Sequence, residues 1–215
     1  MKPEIEVIAL AEPVPYPDML ARQQERRAEV EAGRAPNTLF LLEHSAVITQ
    51  GRNAQPQHVL AEDAHLESLG VAKVTADRGG DVTYHGPGQL VAYPILRLTE
   101  WRCSISWYLR TLEQVIIEVL AAYGIEAWRE DGHTGVWTAR GKVAAIGVGV
   151  HAWTTFHGIA LNVNTNMEHF ELIVPCGISD RPVVSIHQLL DAPPTMAQVR
   201  EKFCEIFLRH FGESA

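Results

Sequence analysis

The sequence predicts a mixed α/β (α+β) domain with a largely antiparallel sheet and packed helices, and three observations carry that expectation. Residues 38–42 and 90–96 are continuous apolar runs of strand length, as strands covered on both faces require. Residues 134–139, 142–150 and 156–163 are rich in β-forming side chains and divided by short turns such as Arg140-Gly141, the pattern of an antiparallel meander. Two segments have helical periodicity instead. Tyr108, Leu109, Leu112, Val115, Ile116, Val119, Leu120 and Tyr123 recur at three and four, behind a serine cap at Ser104 or Ser106 and ahead of Gly124. Met196–Phe211 follows a Thr195/Gln198 capping box and stops at Gly212.

The remaining elements follow in order. Residues 4–10 alternate as a first strand, which the prolines from Pro13 to Pro17 break. Asp18 is the expected cap of a helix over 19–32, closed by Gly33; with so few apolar positions it reads as a solvated outer helix and not a binding face. Residues 44–52 read as a loop, 62–69 as a short helix ending at Gly70, and 71–75 as a strand.

Composition narrows the classes. At 215 residues, 47% hydrophobic and 20% charged, the chain can bury a substantial core, so a single domain over 1–215 is expected. A net charge of −8, with no basic run longer than Arg26-Arg27, argues against a nucleic-acid partner. No stretch approaches the roughly eighteen consecutive apolar residues of a membrane span, and MKPEIEVIALAEP lacks the order of a signal peptide. A cytoplasmic protein with no membrane partner is expected. Cys103, Cys176 and Cys204 form no CxxC, and His65, His133, His151, His169, His187 and His210 show no ligand spacing, so neither disulfides nor a metal is expected.

Function is expected around residues 78–94, RGGDVTYHGPGQLVAYP. Gly79, Gly80, Gly86 and Gly88 permit close approach to the main chain, and Pro87 fixes a turn. Arg78, Asp81, Thr83, Tyr84, His85 and Gln89 add charge, a titratable ring and hydrogen bonders on a loop that runs into an apolar strand. A tight hairpin with polar decoration would explain that loop if it stood alone. GKVAAIGVGV, from Gly141, sets Lys142 in an otherwise apolar strand, where a snorkelling strand-end charge is the plain alternative. HGIALNVN, from His157, starts a strand and ends in two asparagines. IVPCGI holds Cys176 between a proline and a glycine in a segment with no period, a setting that a core cysteine seldom needs; Cys204, inside a helix, is expected to be such a core residue.

RGGDVTYHGPGQ, GKVAAIGV, HGIALNVN and VPCGI occur in an order and spacing that resembles the lipoyl(octanoyl) transferases, over residues 38–186. The resemblance implies a biotin/lipoate protein ligase-like α/β fold. It also implies transfer of an octanoyl group from octanoyl-acyl carrier protein to a lysine of a lipoyl domain, without ATP or metal. Acceptors in the family are the lipoyl domains of 2-oxoacid dehydrogenase E2 subunits and the glycine cleavage H protein. Carried over position by position, it implies catalytic roles for Cys176 and Lys142. It implies substrate contacts at Arg78, Gly79, Gly80, Asp81, Val82, Thr83, Tyr84 and His85, at Ala145, Ile146 and Gly147, and at Gly158, Ile159 and Ala160. Gly149 departs from the family pattern, in which a basic residue is frequent there.

The chemistry is consistent with those roles. A cysteine can hold an acyl group between two carriers, yet at a free pKa of about 8.5 only roughly three per cent is thiolate at neutral pH. A neighbouring ammonium that lowered it by about two units, ~2.7 kcal/mol, would make the thiolate the majority form. Lys142, once deprotonated, could then accept the proton of the incoming amine; His85 ranks second as base. Small residues at 145, 147, 158 and 160 leave room for an acyl chain, and burying roughly six methylenes is worth on the order of 5 kcal/mol. Arg52, Arg78, Arg129 and Arg140 are expected as a basic rim for acidic carriers. An ATP-dependent ligase of the same fold and a non-catalytic binding module are the competing readings.

Overall fold

The computed structural model describes residues 3–175 and 181–214. Strand β1 (Glu4–Ala9) leads into helix α1 (Tyr16–Glu31), followed by β2 (Asn37–Leu42) and β3 (Val47–Gln50). Then come α2 (Asp63–Ser68), β4 (Ala72–Thr75), β5 (Val82–His85), β6 (Gln89–Ile95) and the long helix α3 (Ile105–Ala121). β7 (Trp128–Glu130), β8 (His133–Thr138), β9 (Gly141–His151) and β10 (Thr154–Asn162) form the expected meander. α4 (Ile186–Leu189), α5 (Met196–Phe211) and the short β11 (Glu213–Ser214) close the chain.

Among the described residues the strands make two sheets: a large one in the order β11-β1-β2-β6-β10-β9-β8-β7, and a small one, β4-β3-β5. All pairs from β2 to β7 are antiparallel, while β1 runs parallel to both its neighbours. Every residue of β2, β6 and β10 is buried, because the large sheet is covered on both faces. On one face, α3 and α5 pack Leu112, Val115, Val119, Phe203 and Phe207 against Leu39, Leu90, Ile159 and Leu161. On the other, α1 places Met19 and Val30 on Phe40, Val91, Tyr93 and Phe156.

The helix ends follow their caps. Ser104, not Ser106, caps α3, its hydroxyl accepting from the Trp107 amide at 3.2 Å, and the Thr195/Gln198 capping box forms as expected. Helix α1 starts two residues before the expected Asp18 cap; Pro17 fits there because first-turn amides need no helical partner. Its sparse apolar positions are nonetheless a real inward stripe, with Tyr16, Met19, Gln23 and Val30 buried, so it is not merely a solvated outer helix. Two expected loop segments are strands: Val47–Gln50 pairs with Val82–His85, four residues each and too short for a period to show. No helix among the described residues is long and apolar enough to cross a membrane.

Phe207 is fully buried and stacks on Phe211 and Phe203, with ring centroids at 4.6 and 6.1 Å. Phe207→Ala is expected to destabilise the fold by about 3–5 kcal/mol, read as a lower denaturant midpoint at unchanged slope.

Candidate active site

The small sheet meets the large one through the loop between β4 and β5. The Gly79 amide donates to the Val148 carbonyl of β9 at 3.1 Å, and a Cβ on Gly147 would lie 2.9 Å from the Gly79 carbonyl oxygen. Glycine at 147 is therefore required by backbone approach, not only by room for a ligand. The same loop is tied behind by amides of Gly51, Arg52 and Asn53, which donate to the carbonyls of Asp81, Arg78 and Gly80. The Arg78 guanidinium donates to the Thr49 carbonyl at 2.6 Å and to its hydroxyl, and the Asp81 carboxylate takes His58 Nδ1 at 2.5 Å and the amides of Gln55 and Val82.

Between loop, β5, β9 and β10 lies a narrow cleft. Of the expected contact residues, Arg78, Gly79, Gly80, Asp81, Thr83, His85, Ala145, Ile146, Gly147, Gly158, Ile159 and Ala160 line it. Val82 and Tyr84 do not. Strand alternation turns their side chains to the opposite face of β5, against Ile48, Leu66 and Phe170, where the Tyr84 hydroxyl meets His169 Nδ1 at 2.8 Å. Tyr16, Tyr93 and His157 close the cleft at its far end and were missed by the sequence reading. His157 takes a left-handed φ of 56°, which breaks the alternation of β10 and lets adjacent Phe156 and His157 rings lie together at 4.8 Å. Its ring bonds Asp77 at 2.7 Å and its amide donates to Gln23 at 2.8 Å. A non-glycine residue held in that region is a mark of a functional site, but it has no signature in one sequence.

The imidazoles here are neutral. Burial lowers the His44 pKa to about 4; Nδ1 donates to the Val14 carbonyl at 2.7 Å and Nε2 accepts from the Tyr93 hydroxyl at 2.8 Å. Burial, helped by His44 and Arg78, holds His85 well below the ordinary histidine value. The Gln89 amide donates to the Tyr84 carbonyl and to Asn162, so its oxygen accepts from His85 Nδ1 at 2.7 Å and Nε2 is left as the ring's acceptor. Burial likewise raises the Tyr16 pKa to about 12.

Toward its other end the cleft continues past Thr83, Ala145 and Ala160 to a small cavity lined also by Lys142, Asn162, Pro175 and Val183. Lys142 is buried, 6% exposed, and its Nζ lies 5.4 Å from the Trp137 ring centroid. Gly135 makes room for it, since a Cβ there would come within 2.6 Å of Lys142 Cε. The expected nucleophile, Cys176, lies outside the described residues; Pro175, to which it is joined, lines the Lys142 cavity. Cys204 sits on α5 against the main core, and burial raises its thiol pKa, as a structural cysteine requires.

The expected basic rim needs correction at Arg78, whose 7% exposure and bonds to Thr49 make it cleft wall. Arg129 is held by Glu113 at 3.2 Å; Arg52 and Arg140 are exposed. No cluster of three or more His, Cys, Asp or Glu side chains among the described residues could hold a metal.

The model of the lipoyl protein ligase A/B catalytic domain matches residues 15–208, from the start of α1 into α5 and including every cleft residue, and the chain belongs to that family. An octanoyltransferase of Solibacter usitatus (strain Ellin6076) is 47% identical over 198 residues, 92% of this chain and 89% of its own length. One of Chloroflexus aurantiacus (strain ATCC 29366 / DSM 635 / J-10-fl) is 49% identical over 183 residues, 84% and 82% of the two chains. Within the family the protein thus stands with the octanoyltransferases, and it is an acyltransferase. The fold is shared with lipoate-protein ligase A, whose crystal structure with bound ATP matches with a TM-score of 0.78 at 16% identity, over 100% of this chain and 90% of that one.

A histidine whose pKa is lowered on folding binds its proton more readily in the unfolded chain. His44 therefore contributes full stability above its unfolded value of 6.5 and loses it as pH falls toward about 4. The shift corresponds to about 3 kcal/mol. Denaturant titrations between those limits are expected to show stability falling with pH, with a shallower slope in His44→Gln.

Proposed function

We propose that the protein transfers an octanoyl group from octanoyl-acyl carrier protein to a lysine of a lipoyl domain, through a thioester on Cys176. The observation that carries this reading is the arrangement along β9 and β10. A cleft whose β9 and β10 wall is small and apolar, from Ala145 to Gly147 and from Gly158 to Ala160, is closed at one end by Tyr16 and Tyr93 and reaches, at the other, a buried Lys142 beside Pro175. An alkyl tail fits the end closed by Tyr16 and Tyr93, whose rings are uncharged and offer apolar faces. The reacting carbonyl belongs at the Lys142 end.

In the first half-reaction the Cys176 thiolate, favoured by the Lys142 ammonium, attacks the donor thioester carbonyl. The tetrahedral intermediate collapses to the acyl-enzyme and expels the carrier thiolate, which takes a proton from Lys142. In the second, the neutral amine of the acceptor lysine attacks the acyl-enzyme. The amide forms, Cys176 leaves as thiolate, and Lys142 takes the amine proton, so the dyad returns to its starting charge. Lys142 and not His85 is the base in this scheme, because burial lowers the His85 pKa well below the ordinary histidine value and disfavours the imidazolium that a base must become. The place of His85 is in the cleft wall. The octanoyltransferase names of the relatives support the same reading, and neither half-reaction consumes ATP.

Intact-protein mass after mixing with octanoyl-acyl carrier protein, without ATP, tests it. One octanoyl increment is expected for the wild type and Cys204→Ala, none for Cys176→Ala, and acylation slowed by roughly 10²–10⁴ for Lys142→Ala. If no adduct forms and transfer to a lipoyl domain requires octanoate with ATP, the ligase reading replaces this one. Opening the closed end provides a second test: Tyr16→Ala is expected to raise kcat/KM for dodecanoyl over octanoyl donor by roughly tenfold. An unchanged ratio would place the tail elsewhere.

A further inference from the structure

A β-bulge in β9, opposite β8, creates a pairing that regular register would not. Val136 opposes Ala144, but the next pair is Trp137 with Lys142, one residue of β9 being skipped. Without the bulge Trp137 would face Val143; with it, the indole and the lysine stem are cross-strand neighbours on one face. Trp137 is 2% exposed, and two cations approach its ring: Lys142 Nζ at 5.4 Å and Arg181 Cζ at 5.3 Å from the centroid. Both lie within the range of cation–π attraction, which strengthens where water is excluded.

The two cations come from segments that are also joined by backbone. The Lys142 amide donates to the Pro182 carbonyl at 2.9 Å, and the Val184 amide donates to the Lys142 carbonyl at 2.9 Å. Arg181 is fixed from outside by Glu130 of β7, its Nη1 lying 3.0 Å from Oε1. Behind the lysine, Gly135 leaves the space its stem occupies. One indole thus stands between the side chain of β9 expected to carry protons and the first residues of the segment beginning at Arg181.

We infer that Trp137 is a positioning residue for acyl transfer: its ring holds the Lys142 ammonium and Arg181 in one register. The claim rests on the role proposed above for Lys142. It concerns how the reacting groups are aligned and assigns Trp137 no contact with substrate, so its effect falls on turnover and not on carrier binding.

The test is steady-state octanoyl transfer between the two carriers. Trp137→Leu is expected to lower kcat by roughly tenfold, with KM for each carrier within about twofold, and Trp137→Tyr, which restores a π face, to recover most of the loss. Arg181→Met is expected to lower kcat by roughly threefold, and the double variant Trp137→Leu/Arg181→Met to be no slower than Trp137→Leu alone, since both act through one ring. Unchanged kcat in Trp137→Leu, equal impairment of the Leu and Tyr variants, or strictly additive losses would overturn the inference. Should Trp137→Leu not fold, the surface variants Arg181→Met and Glu130→Gln decide, and silence in both overturns it. Lys142→Ala separates the two levels: if it leaves kcat unchanged, the role of the lysine fails and the platform with it. If it slows transfer while Trp137→Leu does not, only the platform fails.

Discussion

The contact on which the rest depends is the seating of the Gly79 amide on the Val148 carbonyl across a glycine at 147. It brings the edge of a three-stranded sheet against the middle of an eight-stranded one, and the gap left between them is the cleft. The loop cannot relax away, because three amides of residues 51–53 hold its carbonyls and Arg78 is bonded to Thr49. Buried backbone groups that lost these partners would each cost on the order of 1–3 kcal/mol, so the cleft walls are fixed by the same bonds that satisfy the loop.

The titratable rings of the cleft are held uncharged. His44, His85 and His157 have pKa values lowered by burial, and Tyr16 and Tyr93 have theirs raised, so near neutral pH the charges beside them are those of Arg78 and Asp77. These groups are nonetheless polar. His44 is bonded to Val14 and Tyr93, and His85 Nδ1 to Gln89, which Asn162 holds in turn. His157 maintains an unfavourable backbone geometry, which its Asp77 and Gln23 partners offset.

Much of this was legible beforehand, unevenly. The meander, the α3 stripe and the α5 capping box were readable because each is set by neighbours in sequence: period two, period three to four, and a hydroxyl three residues from its amide partner. β3 and β5 were not, since four-residue strands carry no period and owe their existence to pairing with each other. The inward face of α1 was also hidden, because four buried residues in sixteen give a weak stripe and Tyr16 acquires its place from contact with residues distant in sequence, His44 and His85 among them. Twelve of the fourteen expected contact residues line the cleft, whereas Val82 and Tyr84 face the other side of β5, because a strand alternates its side chains where a sequence motif is continuous.

The sequence by itself determined the class of fold, the capping box of α5, the position of the glycine-rich loop and the chemical types gathered along the chain, since these follow from local backbone preference and apolar spacing. Tertiary structure alone decided that Tyr16, Tyr93 and His157 close the cleft, that Arg78 is wall and not rim, and that Trp137 faces Lys142. Each depends on residues distant in sequence meeting at a register, and a bulge of one residue or a single left-handed φ changes which side chains meet while leaving the composition of the strand as it was.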